Sequence, residues 1–135
     1  MRPHVLLLLS LSFLQSSCSA VAMFWPMVTV RHPITHVVVC WLKEPGNDRR
    51  RNELIAASES FREIPGVIEV VAGPPLPSTR PAVDSTFDVA VVIRFRDQKA
   101  LDDYEGHWRH KWAVEHVLKP FVSHYTVYDV RDHER

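Results

Sequence analysis

The feature that most constrains this fold is a pair of short segments that are apolar on both alternating sides. His36–Leu42 reads HVVVCWL, and Phe87–Phe95 places Phe, Val and Ile on one side and Ala90 and Val92 on the other. Such β-branched runs favour strands, and a strand that is apolar on both sides has to be covered on both sides. A chain of 135 residues has room for a single domain. One layer of helices covers one side, so something else must cover the other.

From His36 to Val130, patterns typical of strands and of helices follow one another in the order β-α-β-β-α-α-β. Asn47 or Asp48 is a candidate N-cap for the first helix, and Pro65-Gly66 is a stop signal at its end. Asp97 is the candidate N-cap of the second helix. The predicted strands are 36–42, 67–72, 87–95 and 121–130, and the predicted helices are 49–64, 98–105 and 107–118.

This order of elements predicts an α+β fold of the ferredoxin-like type, with a four-stranded antiparallel sheet and helices on one face. The other face of the sheet is apolar as well. Its simplest cover is the same face of a second copy, which produces a homodimer with twofold symmetry, a dimeric α+β barrel. We therefore expect the first partner of this protein to be itself, packed sheet on sheet.

The first 22 residues have the three-part pattern of a secretory signal peptide. A short, weakly positive start is followed by the ten-residue apolar run Val5–Leu14 and by a small, polar stretch that ends in Ala20-Val21-Ala22. We predict cleavage after Ala22 and export to the periplasm or outside the cell. Residues 23–33 then form a tether, 34–131 the folded domain and 132–135 a polar tail.

Cys18 offers a second interpretation of the same leader, in which a lipid is attached to this cysteine. Against it, the aliphatic residue usual three positions earlier is replaced by Gln15. We expect contact with a membrane only if Cys18 is lipidated. A third interpretation places the true start of the chain at Met23 or Met27.

Composition and motifs exclude several classes of function. Lys and Arg total 16, as do Asp and Glu, so the net charge gives no reason to expect nucleic-acid binding. With four glycines and neither GxGxxG nor GxxxxGK[ST], we predict no cofactor. His36, His107 and His110 offer imidazole nitrogens, but no carboxylate is clearly placed with them, so we predict no metal site.

Five short motifs occur in the order and at the spacing of one known family. They are His36-Val-Val-Val, Glu63-Ile-Pro-Gly-Val67, Phe87-Asp88, Tyr104-Glu-Gly-His107-Trp-Arg-His110 and Leu118-Lys-Pro-Phe-Val122. From about His36 to Val130 the sequence resembles the stress-responsive A/B barrel (Dabb) domain family. One departure is Trp108, where the family usually has proline.

The resemblance implies a ferredoxin-like α+β barrel dimer and says less about activity. Most members of the family have no known reaction. A plant polyketide cyclase with this fold uses a tyrosine and a histidine for aldol-type ring closure, and on the motif these correspond to Tyr104 and His110. Its first-strand histidine corresponds to His36.

The residues themselves make this chemistry feasible. His110 lies near the first turn of a helix that starts at Gly106, where the positive helix end disfavours imidazolium and leaves a neutral proton acceptor. The hydroxyl of Tyr104 can hold a developing oxyanion in the same cavity. We therefore predict Tyr104 and His110 as catalytic candidates, and these two with His36 and His107 as ligand-binding candidates. Capping and packing are the alternative roles for Tyr104, His107 and His110. For His36 the alternative is a buried histidine bonded to a neighbouring loop.

The favoured interpretation is an exported homodimer with a small, mostly apolar pocket, which binds a ligand or serves an unassigned stress-related role. Two alternatives stay open. One is a cyclase- or lyase-like enzyme acting on a carbonyl substrate of the polyketide kind. The other is a purely structural dimer. An open cavity lined by His36, Tyr104 and His110 favours the first two functions, whereas large side chains that fill the space favour the third.

Overall fold

A computed structural model describes residues 32–133. The strands are β1 (Ile34–Leu42), β2 (Val67–Gly73), β3 (Val89–Phe95) and β4 (Val122–Arg131), and the helices are α1 (Asp48–Glu59), α2 (Gln98–Gly106), α3 (Trp108–Ala113) and the short α4 (Lys119–Phe121). A 3₁₀ turn, Ser60–Glu63, follows α1, and a π-helical segment, Val114–Leu118, joins α3 to α4. The predicted signal peptide, Cys18, most of the tether and the end of the polar tail lie outside the described residues.

The four strands form one antiparallel sheet in the order β2-β3-β1-β4. With the helices packed on one face, this is the ferredoxin-like α+β arrangement, so the predicted fold class is confirmed. In this order β1 and β3 are central, and β4 is an edge strand. Within residues 32–133, no helix has both the length and the apolar character needed to cross a membrane.

Local side-chain chemistry sets the start of α1 and of α2, with N-caps that the sequence predicted. Asn47 accepts a hydrogen bond from the backbone N–H of Arg50 at 3.1 Å, and Asp97 accepts one from Ala100 at 2.9 Å. The first helix ends earlier than predicted, because its last turn, Ser60–Glu63, tightens into a 3₁₀ turn. The chain then reverses at Gly66, which has φ 93°.

Two further boundaries differ from the sequence prediction. The third strand begins at Val89 rather than at Phe87, because the buried carboxylate of Asp88 accepts hydrogen bonds from the backbone N–H groups of Leu42 and Gly46. Asp88 thus holds the turn after β1 instead of extending β3. The helix predicted as continuous over 107–118 divides into α3 and the π-helical Val114–Leu118.

The two faces of the sheet have different surroundings. The face toward the helices carries the core, which includes Cys40, Val70, Val89, Ile93 and Phe95. On the opposite face no helix of the described chain covers the side chains. Its members include Val37, Val39, Trp41, Val71, Val92, Tyr128 and Val130. Tyr128 is 57% exposed and Val130 52%, and Thr35, Arg94 and Thr126 share their face. The second face is therefore mainly apolar, as predicted, and uncovered in a single chain.

Candidate functional site

A cavity of about 330 Å³ lies between the sheet and the helices. Its walls are mainly apolar, and the lining side chains with polar atoms are those of His36, Ser58, Tyr104, Glu105, His110, Tyr125 and Asp129. Tyr125 and Val127 of β4 line it and are 53% and 40% exposed, because no helix within residues 32–133 covers the helix-side face of this edge strand. The cavity therefore reaches solvent along β4, and core side chains leave it open.

Tyr104 lies at the centre of the polar side of this cavity. It sits in the last turns of α2, is only 2% exposed, and its ring contacts those of Phe61 and Phe95 at centroid distances of 5.3 and 5.0 Å. Its hydroxyl makes no hydrogen bond to any other residue within 32–133. The hydroxyl is not fully enclosed by protein atoms, and the residue lines the cavity. Burial, reinforced by the negative charge of Glu105, raises the pKa of Tyr104, so the phenol stays protonated and able to donate.

His110 lies beside Tyr104, with their ring centroids 4.4 Å apart. It is the third residue of α3, and its Nδ1 is 3.2 Å from the backbone carbonyl oxygen of Glu105. A carbonyl only accepts, so Nδ1 carries the proton, and in the neutral ring Nε2 keeps a lone pair. Burial lowers the pKa of His110, although the hydrogen bond to the Glu105 carbonyl acts in the opposite direction. The leading cause of neutrality is thus burial, not the helix end.

His36 completes the polar side of the cavity from β1. It is buried, its ring centroid is 6.0 Å from that of Tyr104, and it pairs across the sheet with Asp129 of β4. Its Nδ1 is 2.6 Å from Asp129 Oδ1, and because a carboxylate accepts, Nδ1 donates. This contact fixes the orientation of the ring. Asp129 was not predicted from the sequence, because its one local signal is an acidic side chain within the apolar alternation of the last strand.

His107 lies apart from the other three candidates. Its Nδ1 accepts a hydrogen bond from the backbone N–H of Arg109 at 3.2 Å, which makes it the N-cap of α3. It does not line the cavity. The structure therefore brings together His36, Tyr104 and His110 and leaves His107 in the capping role, while the functional roles predicted for all four stay predictions.

Trp108, the departure from the family motif, has little effect on the cavity. It is the first residue of α3, a helix position at which proline is favoured, and its side chain is exposed. Trp108 and Trp112 line a larger, shallower depression of about 670 Å³ between α1 and α3. None of the four candidate residues lines this depression, whereas three of them line the smaller cavity, which is therefore the candidate site.

Two other groups bear on possible chemistry. Cys40 lines the cavity wall, but burial raises the pKa of its thiol to about 12, so it is an apolar wall residue rather than a nucleophile. Within residues 32–133, no three or more His, Cys, Asp or Glu side chains are grouped so as to hold a metal ion.

Comparisons with solved structures agree with this architecture. A Dabb family protein with a ferredoxin-like fold from Mesorhizobium loti is 22% identical, with a TM-score of 0.63, covering 77% of this chain and 100% of its own. A dimeric ferredoxin-like protein of unknown function from Thermobifida fusca is 16% identical, with a TM-score of 0.63, covering 76% and 93%. A dimeric protein of the same fold from Bacteroides fragilis is 18% identical, with a TM-score of 0.60, covering 74% and 96%.

At these identities the similarity to solved structures shows the fold alone. No curated protein matches the sequence. The family model of the Stress Responsive A/B Barrel Domain (Dabb) matches residues 34–132. This range is most of the chain and spans every strand and helix described above. The sequence therefore belongs to the Dabb domain family.

Proposed function

We propose that this protein is an exported homodimer whose cavity binds a small, largely apolar ligand. The observation that carries the proposal is the hydroxyl of Tyr104, a donor with no partner among the described residues, on a side chain that is 2% exposed and lines an open cavity. This hydroxyl opens onto the cavity and is not enclosed by protein, so the molecule that occupies the cavity supplies its hydrogen-bond acceptor. A ligand with an acceptor atom at one end meets this requirement.

The walls of the cavity match this kind of ligand. Its volume of about 330 Å³ is in the range of small-molecule sites, which are mostly apolar with a few convergent polar groups. The apolar portion includes Leu54, Phe61, Val91 and Ile93, and the polar groups collect around Tyr104. Such a cavity suits a molecule with an apolar body and one polar end.

The uncovered face of the sheet supports the homodimer. Val37, Val39 and Trp41 lie on it with Tyr128 and Val130, and large apolar patches of this kind mark interaction sites. Two of the similar structures are described as dimeric. A second copy packed on the same face would cover this surface without blocking the cavity, which lies on the helix side.

Ligand binding is tested with the uncharged fluorescent probe N-phenyl-1-naphthylamine. Ala113→Phe fills the cavity from α3, and we expect the probe affinity to fall about tenfold or more. The matched control is Ala56→Phe, which adds the same ring to the outer depression instead. Equal binding by both variants, with native far-UV circular dichroism, would contradict the proposal.

Export is tested by the intact mass of the native protein. Cleavage after Ala22 gives a chain that begins at Met23 and is recovered outside the cytoplasm. A chain that retains Cys18 with an added lipid mass would replace this interpretation with a membrane anchor. An unprocessed chain recovered from the cytoplasm would contradict export.

The neutral His110 beside the protonated Tyr104 favours a second candidate function, a cyclase- or lyase-like enzyme. In it, Nε2 of His110 takes a proton from the carbon next to a substrate carbonyl, and the hydroxyl of Tyr104 donates a hydrogen bond to the oxygen as negative charge develops there. The test compares turnover of a panel of β-polyketones by the native protein and by His110→Ala. Equal rates on every compound would exclude this role for His110.

A further inference from the structure

We propose that the cavity selects an uncharged ligand that carries a hydrogen-bond acceptor, such as a ketone, and that the carboxylates of Glu105 and Asp129 exclude anionic ligands such as fatty acids. The inference rests on the binding function proposed above and names the class of ligand. It assigns specificity to two residues that line the same cavity as Tyr104.

The charges around the cavity carry this inference. Glu105 and Asp129 both line it, and no lysine or arginine of the described residues does. None of the ion pairs formed within residues 32–133 includes Glu105. Arg131, the next residue on the same side of β4, directs its guanidinium toward the side-chain oxygen of Gln98 at 3.4 Å. A carboxylate ligand would thus find no fixed cation to pair with among the side chains of residues 32–133 that line the cavity.

The two lining histidines do not reverse this balance. The Nδ1–H of His36 already donates to Asp129, and the Nδ1–H of His110 donates to the Glu105 carbonyl. Burial lowers the pKa of His110, which keeps that ring uncharged near neutral pH. A positive charge on His36 would be balanced by the carboxylate of Asp129, to which it is hydrogen-bonded. The carboxylate of Glu105 would then still give the lining an excess negative charge.

The buried donor that remains is the hydroxyl of Tyr104, because the other phenol of the lining, Tyr125, belongs to a side chain that is 53% exposed. A ketone oxygen accepts its hydrogen bond without bringing a charge into the cavity. A carboxylate also accepts it, but it loses hydration among apolar walls and meets the carboxylate of Glu105. Both effects act against the anion, so ligands of equal length should be separated by charge.

The experiment uses a pair of ligands with matched chains, decan-2-one and decanoate, each titrated at pH 7.5 against protein loaded with N-phenyl-1-naphthylamine. We expect the native protein to bind decan-2-one at least about tenfold more tightly than decanoate. Raising the salt concentration should reduce the difference between the two affinities. Salt screens the repulsion between decanoate and the lining carboxylates, and decan-2-one has no charge to screen.

Variants identify the residues responsible. Glu105→Gln, alone and with Asp129→Asn, should raise the affinity for decanoate several-fold. The affinity for decan-2-one should stay within about twofold of the native value. The matched control is Glu115→Gln, a carboxylate outside the cavity that pairs with Lys119 and should change neither affinity. Tyr104→Phe should lower the affinity for decan-2-one more than the affinity for naphthalene, because naphthalene has no acceptor oxygen.

The outcomes separate this inference from the function on which it rests. If the probe binds but decanoate binds as tightly as decan-2-one to the native protein, the cavity is a ligand site and the charge selection is wrong. If Glu105→Gln and Glu115→Gln raise decanoate affinity equally, the specificity does not reside in the cavity and the assignment is overturned. If neither the probe nor either ligand binds, the binding function fails, and this inference fails with it.

Discussion

At the residue scale, the cavity presents a proton donor and a proton acceptor that are held in place by parts of the side chain other than the functional atoms. Tyr104 is positioned by ring contacts with its aromatic neighbours Phe61 and Phe95, and its hydroxyl takes no part in them. His110 is positioned by its Nδ1–H, which leaves Nε2 available. The atoms suited to ligands therefore contribute little to folding, so substitutions can separate binding from stability.

Tyr104→Phe should test this separation directly. Removing a hydroxyl that has no partner among residues 32–133 should change the free energy of unfolding by less than about 1 kcal/mol. Tyr104→Ala should cost about 3–5 kcal/mol, because it removes the ring from the core. Urea denaturation measures both. A cost above about 2 kcal/mol for Tyr104→Phe would show that the hydroxyl has a partner in the folded protein.

The lowered pKa of His110 predicts a particular pH dependence of stability. Below the ordinary histidine value of about 6.5 the unfolded chain binds this proton more readily than the folded one does, so stability falls as the pH falls through that window. His110→Gln should make the free energy of unfolding less sensitive to pH between 7.5 and 5.5. Urea denaturation at the two pH values gives the comparison, and an unchanged slope would contradict the folded-state assignment.

At the scale of the element, the features that sequence reasoning identifies are local ones. Asn47 and Asp97 act within three residues of themselves, so both caps are visible in the sequence. The contact between His36 and Asp129 joins residues 93 positions apart and depends on the register of β1 with β4, which no local pattern reveals. The π-helical Val114–Leu118 escaped prediction because its apolar spacing fits an α-helix equally well.

Gly66 shows how one residue joins two elements. Its φ of +93° favours glycine, and a Cβ built on it would lie 2.5 Å from the Cβ of Ala100 in α2. Gly66→Ala should therefore cost about 2–4 kcal/mol, the sum of backbone strain and overpacking.

Gly46→Ala is the matched control for this prediction. Gly46 also has a positive φ, +76°, but a Cβ there would meet no atom within 4 Å, so only the strain of about 1–2 kcal/mol applies. Urea denaturation measures the free energy of unfolding of both variants. The difference between the two costs isolates the packing of the turn at Gly66, just before β2, against α2. Equal costs would show that the contact with Ala100 relaxes without penalty.

At the scale of the whole molecule, the cavity and the proposed dimer interface use opposite faces of one sheet. The side chains of β1 alternate between them, so that His36, Val38 and Cys40 line the cavity while Val37, Val39 and Trp41 face away from the helices. The apolar character of both faces, read from the sequence alone, thus has two separate consequences. One is a ligand cavity within each copy, and the other is a surface for a second copy.

Val39→Glu should separate the two copies without altering the cavity. It places a carboxylate in the middle of the uncovered face, where burial against a partner would leave it without a counter-charge. We expect sedimentation velocity at about 10 μM to show a dimer for the native protein and a monomer for the variant. Ala56→Glu, on the exposed surface of α1, should remain dimeric, and both variants should keep the native circular dichroism. A native protein that sediments as a monomer would contradict the homodimer, because an apolar face of this kind would then be stable in water without a cover.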